Sequence, residues 1–169
     1  MKSQGLASTD KLEQRARNVL LFQLSKSAKS SKELSEILLK REIPPEIGEP
    51  IIQRFIEVGL IDDLAAAQSL VNHRRGQFKS KRVIAYELKQ KGLEQSVIEQ
   101  ATDELTETDQ EVANQAALKR IRSLRNLEEP VIRRRLMGYL QRRGFGGEIC
   151  SRATSFALNG LKLGDDDYS

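Results

Sequence analysis

Ile84-Ala85-Tyr86-Glu87-Leu88-Lys89-Gln90-Lys91-Gly92-Leu93 decides how this chain is to be read, because its apolar skeleton occurs three times. Leu34, Leu38 and Ile43 stand 50 residues before Ile84, Leu88 and Leu93, and Leu136, Leu140 and Phe145 stand 52 residues after them (84 minus 34; 136 minus 84). In every copy the first two apolar residues are spaced i, i+4, which stacks them on one face of a helix. The third comes after Gly92 in one copy and after Gly144 in another, where a left-handed residue ends a helix and turns the chain. A phrase repeated at this period marks a helical unit that buries one side against its neighbours and leaves the other free.

Working outward, apolar residues at helical spacing predict nine helices. Asp10 caps the first, which runs to Ser25 and carries Leu12, Ala16, Val19, Leu20 and Phe22. Ser31, Glu33 and the stripe Leu34, Ile37, Leu38 give a second helix ending near Glu42. Pro44-Pro45 then forces an extended turn and opens a third, with Ile47, Ile51, Ile52, Phe55 and Ile56, closed by Gly59. Asp62 or Asp63 caps the fourth helix, to Arg75; the fifth spans 80–91 and the sixth 96–105. The seventh spans 109–126, Pro130 opens the eighth before Gly144, and the ninth spans 147–158. Ile47, Val97 and Ile149 fall in register, as do Ile51, Ala101 and Ala153. No stretch alternates as a strand does. The expectation is an all-α fold of three tandem three-helix repeats, helix-turn-helix-like, over 10–60, 61–106 and 107–158, with a flexible N-terminus (1–9) and a flexible acidic tail (159–169).

Composition narrows the function. With 38% hydrophobic and 31% charged residues, no Trp and 5% aromatics, the 169-residue chain suits a helix-rich, surface-heavy protein without a large ligand pocket. No run approaches the roughly 20 apolar residues of a membrane span. The start Met1-Lys2-Ser3-Gln4-Gly5 leads into polar sequence, so a cytoplasmic protein is expected. The single Cys150 has no second cysteine for a disulfide or a zinc cluster and reads as buried apolar filler. His73, the one histidine, sits beside Arg74 and Arg75 at a basic helix end, without the nucleophile or paired acids that catalysis needs. Gly144, Gly146 and Gly147 lack the following Lys-Ser/Thr of a phosphate loop and read as a helix stop and start. No catalytic residue, metal site or cofactor site emerges, and recognition through charged helix surfaces is favoured over an enzyme.

The net charge of +4 hides a strong pattern when Lys+Arg is set against Asp+Glu by segment. Residues 1–72 balance at 10 against 10, 73–91 stand at 7 against 1, 92–118 at 0 against 7, 119–143 at 9 against 2, and 144–169 at 2 against 4. The first basic block holds Arg74, Arg75, Lys79, Lys81, Arg82, Lys89 and Lys91; the second holds Lys119, Arg120, Arg122, Arg125, Arg133, Arg134, Arg135, Arg142 and Arg143. Solvated helix faces would account for either block alone. Their corresponding places in two repeats favour a continuous basic stripe facing phosphate or an acidic protein surface. Arg predominates in the second block and suits bidentate bonds to either target. Three-helix units also raise a free-standing DNA-binding protein of helix-turn-helix type, but no dimerisation segment is visible, so a monomer is expected. Of the few aromatics that could stack on single-stranded bases, Phe78 and Tyr86 lie near one block and Tyr139 near the other; Tyr86 and Tyr139 read as packing residues.

At Gly59-Leu60-Ile61-Asp62-Asp63-Leu64-Ala65-Ala66-Ala67, then Arg74, then Glu87-Leu88-Lys89-Gln90-Lys91-Gly92-Leu93, the chain resembles the RecX family of regulators of the RecA recombinase. The likeness runs from about Arg15 to Leu158 and is strongest over 55–93, with Gly59, Leu60, Asp62, Asp63, Glu87, Leu88, Lys91 and Gly92 carrying the motif. It departs where the family usually has an aromatic at Ala66, often another at Leu70, and commonly a glycine near Phe78 to Ser80. The resemblance implies an elongated, curved array lying in the groove of the RecA–single-stranded-DNA filament. There it limits strand exchange, ATP hydrolysis and the repressor cleavage of the SOS response, with no cofactor of its own.

Overall fold

The computed structural model describes the backbone of residues 3–165 and the side chains of 8–161. Among these residues the chain is helical throughout, without strands: α1 (Ser3–Lys26), α2 (Ser31–Lys40), α3 (Pro45–Glu57), α4 (Asp63–Gly76), α5 (Lys81–Gln90), α6 (Gln95–Asp103), α7 (Asp109–Ile121), α8 (Glu129–Gln141) and α9 (Gly147–Asp165). The all-α reading therefore stands.

The repeated positions are core positions. Leu34, Ile84, Leu88, Leu136 and Leu140 have no exposed surface, and Leu38 has 2%. Ile47, Val97 and Ile149 share an intermediate burial, while Ile51, Ala101 and Ala153 are all buried. The turn that ends each copy is also the same. The N–H groups of Ile43, Leu93 and Phe145 donate to the carbonyls of Leu38, Leu88 and Leu140 at 3.1, 3.3 and 3.4 Å. The residue before each is left-handed: Glu42 (φ 61), Gly92 (φ 74) and Gly144 (φ 91). Glycine enters that region without a steric penalty, whereas Glu42 pays one.

By packing, the chain gathers into two units, one holding the residues up to Leu70 together with Glu87–Ala101, the other Val71–Tyr86 together with the residues from Thr102 onward. In the first, Ala16 and Leu20 of α1 meet Leu34 and Leu38 of α2 and Ile51, Ile52 and Phe55 of α3, with Ile43 and Ile61. Ser30 caps α2 in a reciprocal box with Glu33, Ser30 Oγ accepting from the Glu33 N–H at 3.1 Å and Glu33 accepting from the Ser30 N–H at 3.0 Å. Asp62 is the residue that caps α4, through the Ala65 N–H at 2.9 Å. Asp63 instead accepts from the Ser31 N–H and hydroxyl at 2.7 and 2.8 Å.

In the second unit, Val112, Ala113, Ala116 and Ala117 of α7 pack with Ile132, Leu136 and Leu140 of α8 and Cys150, Ala153, Ala157 and Leu158 of α9. The alanines let α7 and α9 approach closely. Cys150 is the buried filler expected of it, and burial pushes its thiol up from its ordinary pKa.

Three boundaries differ from expectation. α1 begins at Ser3 rather than Asp10, since residues 6–10 contain neither Gly nor Pro and the helix extends back from its packed half. The expected flexible N-terminus is therefore helical from Ser3; residues 1–2 lie outside the described chain. α7 stops at Ile121 instead of 126 because the chain turns there to bury Leu124, with the Ser123 hydroxyl donating to the Arg120 carbonyl at 2.8 Å. α9 runs past Leu158 to Asp165, carried through Gly160 by Leu161, which packs on the second core. The last part of the expected acidic tail, 166–169, lies outside the described residues.

Candidate functional site

The basic residues divide between the units. Of the two basic blocks, Lys89 and Lys91 belong to the first unit and all the other members to the second. In the first, Lys89 is exposed, whereas Lys91 ion-pairs with Glu33, and its carbonyl accepts from the Ser30 hydroxyl at 3.1 Å. Burial alone would raise the Glu33 pKa. The hydrogen bond from Lys91, the Ser30 N–H and the nearby positive charges of Lys91 and Lys29 outweigh it and hold the carboxyl below its ordinary range. Lys91 is thus a tie between α2 and the end of α5 rather than a free surface cation. The other motif residues of this unit are architectural too: Gly59 is left-handed (φ 74), Leu60 closes α3 by donating its N–H to the Phe55 carbonyl at 2.8 Å, and Leu88 is core. Glu87 is half-buried.

In the second unit Arg75 requires correction. Expected on the basic surface, it is only 8% exposed. Its guanidinium donates to Asp109 at 2.6 Å, to the Glu107 carbonyl at 2.6 Å and to the Lys79 carbonyl at 3.1 Å. A charge this buried must be matched by acceptors, and Asp109 supplies the countercharge while also accepting the first N–H of α5, from Lys81, at 3.0 Å. Arg75 therefore joins α4, α5 and α7. Lys81 is exposed but pairs with Asp103 at 2.9 Å, and Arg82 is exposed with a long 3.4 Å bond to the Gly144 carbonyl. Arg74, half-buried, donates to Gln77 at 3.0 Å, and Lys79 is half-buried in the turn.

The second block is the open one. Lys119, Arg120, Arg122, Arg125, Arg133, Arg134, Arg135 and Arg142 are all exposed. Arg133 shares an i, i+4 pair with Glu129 at 3.2 Å. Arg134 and Arg135 make no ion pair among the described residues. The cause lies in α8 itself: Ile132, Leu136 and Leu140 at i, i+4, i+8 turn inward, so the arginines between them turn out. Tyr139 of α8 and Arg143, just past its end, are four residues apart, and the Arg143 guanidinium lies over the tyrosine ring at 3.7 Å from its centroid.

One aromatic reading changes and another gains a second role. Tyr86, expected to pack, is 63% exposed, because on α5 it faces away from the buried pair Ile84 and Leu88. Tyr139 does pack against the second core, as does Phe78, yet both also line an open cleft of about 520 Å³ together with Lys119, Arg120 and Arg143. The cleft could have been suspected from the Tyr139–Arg143 spacing. Nothing local in the sequence announced that Phe78 comes to the same place. Among the described residues no group of His, Cys, Asp and Glu is placed to hold a metal ion, and no helix is long and apolar enough to cross a membrane.

Fold and surface together define a class, an all-helical protein of three-helix units that displays an arginine-rich face. Comparison with known proteins narrows it: the family models for the second and third three-helix domains of RecX match residues 62–101 and 107–154. A regulatory protein RecX of Streptomyces coelicolor is 38% identical over 151 residues, covering 88% of this chain and 80% of its own. One of Thermobifida fusca is 35% identical over 150 residues, covering 88% and 81%. A crystal structure of a regulatory protein RecX superposes with a TM-score of 0.71 at 27% identity, over 92% of this chain and 78% of that one. RecX from Lactobacillus salivarius, at 22% identity and a TM-score of 0.71 over 91% of this chain and 99% of that one, shares the fold. The chain belongs to the RecX family of regulatory proteins.

Proposed function

We propose that this protein binds the RecA–single-stranded-DNA filament and mainly inhibits it, lowering recombinase, ATPase and co-protease activities in DNA repair and the SOS response. The observation that carries this reading is the exposed arginine face of α8 with the adjoining end of α7, on a chain of the RecX regulatory family. Guanidinium groups without an ion pair among the described residues, such as those of Arg134 and Arg135, suit acidic protein side chains or phosphates, which they take bidentately. A repeated fold adds several weak contacts along a polymer, and each gains from the effective concentration set by the others. The protein acts as a cytoplasmic monomer without a cofactor.

The test is RecA's DNA-dependent ATPase. The expected result is inhibition at protein amounts far too low to coat the DNA. Inhibition that appears only at DNA saturation and disappears on adding excess DNA would replace this reading with simple competition by a free-standing DNA-binding protein.

A further inference from the structure

The cleft of the second unit has features that a merely basic surface does not need. It is lined by two aromatic rings, Phe78 from the turn after α4 and Tyr139 from α8, and by Lys119, Arg120 and Arg143. Among the described residues no acidic side chain lines it. The cations are arranged over the rings: Arg143 at 3.7 Å and Arg120 at 5.7 Å from the Tyr139 centroid, Lys119 at 5.5 Å from that of Phe78. The Nε of Arg143 is buried with no hydrogen-bond partner among the described residues, so stacking on Tyr139, not an ion pair, orients this guanidinium. Phe78 also has a left-handed backbone, φ 59, a conformation that bulky side chains rarely adopt and glycine adopts freely. The turn itself closes as a helix end, with the Phe78 N–H on the Arg75 carbonyl at 2.9 Å and the Lys79 N–H on the Arg74 carbonyl at 3.1 Å. A strained aromatic, held in the lining of a cationic cleft by a turn that glycine would fit better, is the kind of local cost found where a side chain serves binding.

We infer that this cleft seats an unpaired nucleotide of single-stranded nucleic acid, the base stacking on the Phe78 ring and the Arg143 guanidinium while Lys119 and Arg120 meet the phosphate. Flat faces bearing positive charge are what a nucleobase and its phosphate require together. An acidic peptide would use the cations and leave the rings idle, and a duplex keeps its base faces stacked inside. The site deepens the proposed function, on which it rests for its biological setting, by giving the regulator its own hold on the DNA strand.

The experiment titrates the full chain, without RecA, into a fluorescein-labelled single-stranded oligothymidylate and follows anisotropy. Phe78→Gly keeps every charge and relieves the backbone while giving up the ring's packing on the second core, so its melting is followed alongside, and the folded variant should bind about tenfold more weakly, within the range for loss of one stacked base. Its salt dependence should be unchanged. Arg120→Gln should weaken binding and flatten the salt dependence by about 0.7 in log–log slope, the value for one phosphate contact on a single strand. Duplex of the same sequence and free thymidine monophosphate should compete poorly. Unchanged affinity in Phe78→Gly, equal competition by duplex, or no binding by the parent chain each overturns the site. Competition by the free nucleotide as strong as by the strand would overturn it in favour of a small-molecule nucleotide pocket. Measuring RecA ATPase with the same variants separates the two readings. An uninhibited ATPase with intact oligonucleotide binding defeats the filament reading alone, and lost oligonucleotide binding in a variant that still inhibits limits the cleft to DNA contact.

Discussion

Glu42 and Gly144 occupy the same place in two copies of one turn, and they make opposite predictions. Both are left-handed, with φ of 61 and 91, and each precedes an apolar residue whose N–H returns to the preceding helix. Glu42 is exposed and bears a Cβ where the conformation disfavours one. Replacing it with glycine removes that penalty at a small cost in unfolded-chain entropy, so Glu42→Gly should raise stability by about 1 kcal/mol, read as a higher urea midpoint at unchanged slope. Gly144 has no such freedom. A Cβ there would collide with Val83 and with the Ser80 hydroxyl that lies at the start of α5, so Gly144→Ala should lower stability by about 2 kcal/mol or more. Equal effects of the two changes would show that the turns are not equivalent. Glu42 is the case where a glycine read from two copies does not hold in the third, yet the backbone does: the apolar residues on either side fix the turn, and the side chain accepts it.

The beginning of α2 shows how an element is held from outside itself. Ser30 and Glu33 form its capping box, Lys91 pairs with Glu33, and Asp63 takes the Ser31 N–H. Because the folded chain holds the Glu33 carboxyl below the value of 4.5 it has when free, the folded state binds its proton less readily than the unfolded state does. The stabilisation is therefore fully present above about pH 4.5 and is lost as pH falls through the lowered folded value. Glu33→Gln should be less stable than the parent chain at neutral pH, and the difference should shrink on acidification below pH 4.5; a difference independent of pH would remove the charge from the explanation. This element also shows what the sequence made legible. The Leu34–Leu38 stripe located the helix, and Ser31 with Glu33 located its start to within one residue of the actual cap, Ser30. The role of Lys91 was not legible, because its partner is Glu33 and the separation along the chain is 58 residues. Arg75 was misplaced for the same reason: a basic residue beside His73 and Arg74 looks like surface until Asp109 and the Glu107 carbonyl are brought to it. Repetition and periodicity carry local pattern, whereas the matching of buried charges is settled by long-range packing.

Across the whole molecule the charge is unevenly assigned, and the consequence is a division of labour that mutation can expose. Residues 119–143 carry 9 basic against 2 acidic residues, while 1–72 balance at 10 against 10. Arg75 and Lys91 of the first basic block are committed to structure, whereas eight of the nine residues of the second are exposed, three of them, Arg133, Arg134 and Arg135, side by side on α8. Reversing Arg133, Arg134 and Arg135 to Glu changes the charge by six (three positive removed, three negative added). None of the three is buried, so the far-ultraviolet circular dichroism and the melting temperature should stay near those of the parent chain. Inhibition of RecA's ATPase should nonetheless weaken at least tenfold, because each former attraction becomes a repulsion. Exposed charges act through solvent and are screened within about 8 Å at physiological ionic strength, so added salt should weaken the parent protein and narrow the gap between the two. Full inhibition by the triple variant at low salt would take the α8 face out of the interface. It would leave the cleft beside Phe78 as the remaining contact with the filament, a result the oligonucleotide titration would read independently.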